Sequence, residues 1–129
     1  QPLLGVCVGM QLLFEHSEED DTPCLGLLPG RVRRIPAGEG IRVPHMGWNR
    51  LQLRGDDPLL DGFAEGEHAY FVHSYAAPVT PDCIAATAHG AEFAAVVRRR
   101  SVMGAQFHPE RSAAAGARLL HNFLTMDHA

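Results

Sequence analysis

The sequence predicts a single α/β domain built on an open sheet, with its chemistry at the carboxyl ends of neighbouring strands. Three stretches carry this expectation. The run Leu3-Leu4-Gly5-Val6 is apolar and feeds a Gly5-Val6-Cys7-Val8-Gly9 turn followed by helix-forming residues. A second apolar run, residues 102–107, stops at His108-Pro109-Glu110, and open α/β sheets keep their ligands in the crevice beyond such strand ends. Between them, residues 83–88 and 93–97 read as two strands joined by a His89-Gly90 turn. With 129 residues, 46% of them hydrophobic, the chain is long enough for one domain with a core, and no more.

The first stretch has the pattern of a nucleophile elbow. Small residues on both sides let a strand turn sharply into a helix, so that the central side chain stands above the sheet. Cys7 occupies that centre. A helix N-terminus there favours the thiolate, and the Val8 amide N–H points where an oxyanion forms. Residues 10–16 continue as helix, with Leu12, Leu13 and Phe14 on an apolar side. Gln11 lies one turn after Cys7, so its amide can reach a ligand held at the thiol. Residues 17–23 are acidic and polar, a loop from which Glu19 can lie near the mouth of the site.

Residues 25–35 hold a Leu-Leu-Pro-Gly turn and then a strand with one wet face, and residues 36–40 turn again before an extended 41–44. His45-Met46-Gly47-Trp48-Asn49 reads as a loop presenting large apolar side chains of the kind enriched at protein interfaces. On the residues alone, Trp48 filling the domain's own core is the stronger alternative. Leu51 and Leu53 alternate as a strand, residues 56–67 are turn-rich with one helical turn at Pro58-Leu59-Leu60, and residues 69–72 form a strand leading to His73-Ser74-Tyr75. Arg98-Arg99-Arg100 reads as a solvated turn. Ser112 can cap a last helix whose buried stripe is Ala117, Leu119, Leu120, Phe123 and Leu124.

The second stretch supplies what a cysteine nucleophile lacks. Such a thiol needs a base, and the base needs a third group to fix its tautomer. His108 and Glu110 fit those roles. Spaced by two in an extended segment, they can project to one side, with Glu110 accepting the imidazole N–H while the other nitrogen faces Cys7.

Composition sets limits on the rest. A net charge of -4 and a pI near 6.0 argue against nucleic-acid binding. All 11 positive residues are arginine. Three cysteines, Cys7, Cys24 and Cys83, suit a reducing cytoplasm better than secretion. No run approaches a membrane span and no basic-then-apolar leader opens the sequence. Eight histidines show no metal-ligand spacing, and neither a phosphate loop nor a dinucleotide fingerprint is present, so no metal or cofactor is expected.

The pair Gly5-Val6-Cys7-Val8-Gly9-Met10-Gln11 and Gln106-Phe107-His108-Pro109-Glu110 resembles the class I, or triad, glutamine amidotransferases. Pro44-His45-Met46-Gly47-Trp48-Asn49 and Tyr70-Phe71-Val72-His73-Ser74-Tyr75 are similar to segments of the glutaminase subunits of imidazole glycerol phosphate synthases, a branch of that family serving histidine biosynthesis. Four separated motifs agree, in order, over essentially the whole chain. The resemblance implies a flavodoxin-like three-layer sandwich with a mixed, mostly parallel sheet. It implies hydrolysis of L-glutamine to glutamate and ammonia, with Gln11 at the substrate and Ser74 and Tyr75 on its α-amino and carboxylate ends. It further implies a heterodimer with a (β/α)8-barrel cyclase subunit that consumes the ammonia to make imidazole glycerol phosphate and AICAR, and a glutaminase that is weak until that subunit carries its ligand.

In the resembled family His45, Met46, Trp48 and Asn49 face the synthase subunit. Arg111 follows the triad glutamate where a lysine is frequent, which makes any salt bridge across the interface bidentate. The family also has an opening segment with further strands and a glycine-rich loop that gives a second oxyanion donor. Because this chain starts at Gln1 directly on a strand, a single partial domain over residues 1–129 is expected, insoluble or molten in isolation. The rivals are glutaminases serving pyridoxal phosphate, GMP or anthranilate synthesis, against which residues 44–49 speak, and a truncated, non-catalytic interaction fragment.

Overall fold

The computed structural model describes residues 1–127. In chain order they form β1 (Leu3–Val6), α1 (Val8–Gln11), β2 (His16–Ser17), β3 (Thr22–Pro23), β4 (Arg31–Arg34), β5 (His45–Arg50), β6 (Gln52–Leu53), β7 (His68–His73), β8 (Tyr75–Ala76), β9 (Cys83–His89), β10 (Ala91–Arg99), β11 (Val102–Ala105) and α2 (Ala113–Thr125). The spine is a five-stranded sheet in the order β1-β11-β10-β9-β6. A four-stranded sheet, β3-β2-β4-β8, and a two-stranded ribbon, β5-β7, flank it.

The spine is buried on both faces because its strands alternate apolar residues between two cores. On one side Met103, Ala105 and Phe107 pack with Phe71, Leu51, Leu59 and Leu119 beneath α2. On the other, Ala94 and Val97 meet Met10, Leu13, Phe14 and Val32. A bulge in β10 between the Ala94 and Val96 pairings puts Ala95 and Val96 into the same core. The result is the layered α/β arrangement expected of the chain. Gly90, at φ 80°, makes the two-strand turn between β9 and β10.

Several local expectations change. Among the described strands the sheet is mixed but mostly antiparallel: β1 pairs with β11 and β2 with β4 in parallel, and the other pairings run antiparallel. Connections as short as those between β9, β10 and β11 can only reverse direction, since a parallel crossover needs a dozen residues or more. The helix after Cys7 ends at Gln11, not at residue 16. Leu13 and Phe14 are drawn into the core, and residues 16–17 become strand against Thr22–Pro23 and Arg31. Residues 45–49 are not a loop but most of β5, in register with β7 from His45↔His73 to Arg50↔His68.

The buried stripe of α2 is Ala115, Gly116, Leu119 and Asn122, whereas Ala117 is exposed and Leu120 and Leu124 are 40% and 77% exposed. The apolar pattern misplaced it because Asn122 is polar yet buried, its Nδ2 donating to Leu59 O and Asp61 O. Two of the arginines read as a solvated turn are anchored, Arg98 to Asp57 at 3.0 Å and Arg99 to Asp82 at 3.8 Å.

Candidate active site

Parallel pairing of β1 with β11 brings the two sequence motifs to one sheet edge. Leu3 to Val6 lie opposite Val102 to Ala105, and Cys7 N continues the ladder by donating to Ala105 O at 2.8 Å. Cys7 then turns with φ 57° and ψ -114°, a conformation that L residues rarely adopt. Backbone held this way stores about 1–3 kcal/mol. Gly5 permits the turn, because a Cβ there meets Gly9 O at 2.5 Å. A Cβ at Gly9 meets nothing, so steric need explains only the first glycine of the pair.

Three groups approach the Cys7 sulfur. His108 Nε2 lies 3.5 Å away, Gln106 Nε2 3.7 Å and Val72 O 3.9 Å. The other imidazole nitrogen, Nδ1, is 3.5 Å from Glu110 Oε2, a carboxylate 67% exposed. The segment between them is a single 3-10 turn, Pro109–Arg111, instead of the extended segment expected, and this turn brings Glu110 back toward the ring.

Ser112 does not cap α2 with its side chain. Its hydroxyl donates to His108 O at 2.6 Å and accepts from Tyr70 N at 2.9 Å, riveting the His108 loop to β7. His108 N donates to Tyr70 O at 3.0 Å in the same junction. Gly116 closes it: a Cβ there falls 1.8 Å from Pro109 O, so α2 rests directly on the loop.

The electrostatics differ from the simple elbow argument. Burial pushes the Cys7 thiol up, the Val8 N–H pulls it down, and the Glu110 charge adds to the rise. A helix of four residues has little macrodipole, so one amide at the sulfur replaces the expected helix-end effect. Cys7 is therefore a thiol at rest, with an imidazole in position to take its proton.

The remaining expected site residues divide. Gln11 and Glu19 line a cavity of about 120 Å³ with Val8 and Cys24. Both hydrogens of Gln11 Nε2 are engaged, by Tyr75 O and Gln106 Oε1 at 2.8 Å each, leaving Oε1 as the atom free to meet a ligand. Ser74 O accepts from Ile35 N, and the Tyr75 ring faces the Arg34 guanidinium at 5.9 Å.

On β5 the alternation of a strand separates the expected docking residues. Met46 and Trp48 are 63% and 54% exposed, which removes the core-filling alternative for Trp48. His45 points the other way and is buried against Phe71 and His73. Asn49 also turns inward, Nδ2 donating to Ala88 O at 2.8 Å. Arg111 is exposed, and its guanidinium sits 4.3 Å over the Tyr70 ring, which in turn meets Trp48 edge-on at 5.8 Å.

Sequence reasoning missed Gln106, His73 and Ser112 as members of the site. The first stood inside the Gln-Phe-His-Pro-Glu motif, and a polar residue ending an apolar run was the signal.

The profile of the family described as "Glutamine amidotransferase class-I" matches residues 1–126. The chain belongs to the class I glutamine amidotransferase family. Of the relatives of this amidotransferase, imidazole glycerol phosphate synthase subunit HisH from Xylella fastidiosa is 63% identical over 128 residues, 99% of this chain and 64% of the relative. The protein of the same name from Xanthomonas oryzae is 63% identical over 125 residues, 97% of this chain and 62% of the relative. The chain thus spans a little under two thirds of the length of the curated relatives it matches.

Solved structures agree on the amidotransferase fold. A crystal structure of a glutamine amidotransferase superimposes with a TM-score of 0.65 at 23% identity, covering 95% of this chain and 59% of that one. Another, from Thermotoga maritima, gives 0.60 at 19% identity over 95% of this chain and 46% of that one. Among the described residues no helix is long and apolar enough to cross a membrane.

Proposed function

We propose that this amidotransferase is the glutaminase of an imidazole glycerol phosphate synthase, with Cys7, His108 and Glu110 as its catalytic triad. The observation that supports the chemistry is the contact of Cys7 Sγ with His108 Nε2 at 3.5 Å while Nδ1 faces Glu110. The branch of the family is supported by the identity to the two subunits named above.

Cys7 attacks the side-chain carbonyl of glutamine as His108 takes its proton, and the oxyanion forms at the Val8 N–H. His108, oriented by Glu110, returns the proton to the departing ammonia. A water activated by His108 then clears the thioester and releases glutamate. Gln11, through Oε1, and Glu19 border the space for the substrate, and Ser74 and Tyr75 are proposed at its amino-acid end.

Met46, Trp48 and Arg111 form the face for a (β/α)8-barrel cyclase subunit, with ammonia passing between the two in a cytoplasmic heterodimer. Of the other two residues expected there, His45 is buried and Asn49 half-buried, so the exposed side chains of β5 carry the proposed face.

The test follows glutamate release by the protein at its relatives' full length, assembled with the synthase subunit. Cys7→Ala is expected to lower kcat at least ~10³-fold with an unchanged melting temperature. A variant that hydrolyses glutamine as fast as the parent ends the assignment.

A further inference from the structure

A column of buried polar side chains lies beneath the site, and of these the proposed reaction uses only Gln11, through its Oε1. Gln11, His45 and His73 are 5%, 3% and 6% exposed, and Gln106 is fully buried. The hydrogen bonds among them assign every proton. Asn49 Oδ1 accepts from Arg50 N at 2.7 Å, so Nδ2 is the donating end, and it reaches His45 Nε2 at 3.1 Å.

At the other end a carbonyl, Tyr75 O, can only accept, so His73 Nδ1 at 2.8 Å carries a hydrogen. Neutral His73 thus presents a bare Nε2, to which His45 Nδ1 donates at 2.9 Å. Burial foremost, and the neighbouring imidazoles, hold both rings down to about 4, so the column keeps this polarity at neutral pH. Tyr75 O also accepts from Gln11 Nε2, which gives its second hydrogen to Gln106 Oε1. With Oε1 occupied, Gln106 must turn its Nε2 toward Cys7 Sγ, 3.7 Å away.

We propose that Gln106 donates a hydrogen bond that stabilises the Cys7 thiolate, that Gln11 locks the orientation of its amide, and that His73 and His45 are positioning residues that hold the Tyr75 carbonyl on which Gln11 rests. The proposal rests on the reading of Cys7 as nucleophile. Burial disfavours ionisation of this sulfur, the Val8 N–H offsets part of that, and bonds to charged acceptors are the strong ones. The column begins at Asn49, on the same strand that exposes Met46 and Trp48, so docking face and sulfur share one hydrogen-bonded frame.

The experiment measures the pH dependence of iodoacetamide alkylation on the Cys7 peptide by mass spectrometry, in the full-length complex, alongside glutamate release. Gln106→Met, similar in shape but without a donor, is expected to raise the apparent thiol pKa, slow alkylation at neutral pH about tenfold and lower kcat similarly, with KM within about twofold. An alkylation profile like the parent's overturns the donor role. Shifted alkylation in a complex whose parent releases no glutamate sinks the glutaminase reading and leaves the donor standing.

Should Gln106→Met fail to fold, His73 carries the test. His73→Leu is expected to slow alkylation about threefold and His73→Asn, which keeps a donor toward Tyr75 O, to restore it. Equal rates for the two overturn the positioning chain, as does a Gln106→Met/His73→Leu double variant whose loss is the product of the single losses.

Discussion

The β1–β11 junction and the β5–β7 ribbon lie on either side of the His108 loop and are built on opposite principles. At the junction, parallel pairing forces one residue, Cys7, into a positive-φ turn, and neighbouring backbone crowds Gly5 and Gly116 so closely that no side chain fits. In the ribbon, an unbroken antiparallel register, in which Gly47 takes a positive φ of 125°, sorts side chains by parity, His45 and Asn49 inward, Met46 and Trp48 outward. The difference shows how the two tolerate change. The junction is a constrained backbone whose function depends on where it points, and the ribbon is a regular scaffold whose function depends on what it displays.

The largest effect is expected where the junction is tightest. Gly116→Ala puts a methyl inside contact distance of Pro109 and must displace the His108 loop. A loss of about 3 kcal/mol in urea unfolding, together with most of the glutamate release proposed for the full-length protein, is expected from overpacking of this kind. Unchanged stability disproves the close seating of α2.

The ribbon should respond in the other sense. Met46→Ala/Trp48→Ala is expected to weaken binding to the proposed synthase subunit about 30-fold in calorimetric titration while leaving the melting temperature within error, since both side chains are mostly in solvent. A fall in melting temperature with unchanged affinity reverses that reading.

The inward side of the ribbon makes stability depend on pH. His45 and His73 titrate near 4 in the folded protein against 6.5 ordinarily. Between those values the unfolded chain binds more protons, so stability is lost as pH falls from about 6.5 toward 4. Denaturant titrations across that window should show a decline of about 3 kcal/mol for each imidazole, and His45→Asn should remove roughly half of it.

The smallest effect separates stability from activity at one residue. Cys7→Gly is expected to raise stability by about 1 kcal/mol, because glycine accepts the elbow conformation without strain, while abolishing glutamate release. A melting temperature equal to that of Cys7→Ala removes strain from the account of the elbow.

The legible parts of this molecule were those whose cause is local. An apolar run before Gly-Val-Cys-Val-Gly, and another before His-Pro-Glu, mark two strand ends whatever surrounds them, and the Cys83–His89 and Ala91–Arg99 hairpin follows from alternation about a glycine. The helix expected over residues 10–16 failed because Leu13 and Phe14 gain more from the core than from another helical turn. The α2 stripe failed because Asn122, polar by type, is buried by two carbonyls that only the packed chain supplies.

What the amino-acid order settled by itself is the pair of strand ends that carry Cys7 and His108, since nearest neighbours along the chain set a turn's conformation. Tertiary structure alone decided which side of β5 faces solvent, that Ser112 ties a loop instead of capping a helix, and that Gln106 turns its amide hydrogen to sulfur. Those outcomes depend on hydrogen-bond partners dozens of residues away. No local pattern encodes them, because a donor's direction is chosen by whichever acceptor the fold carries to it.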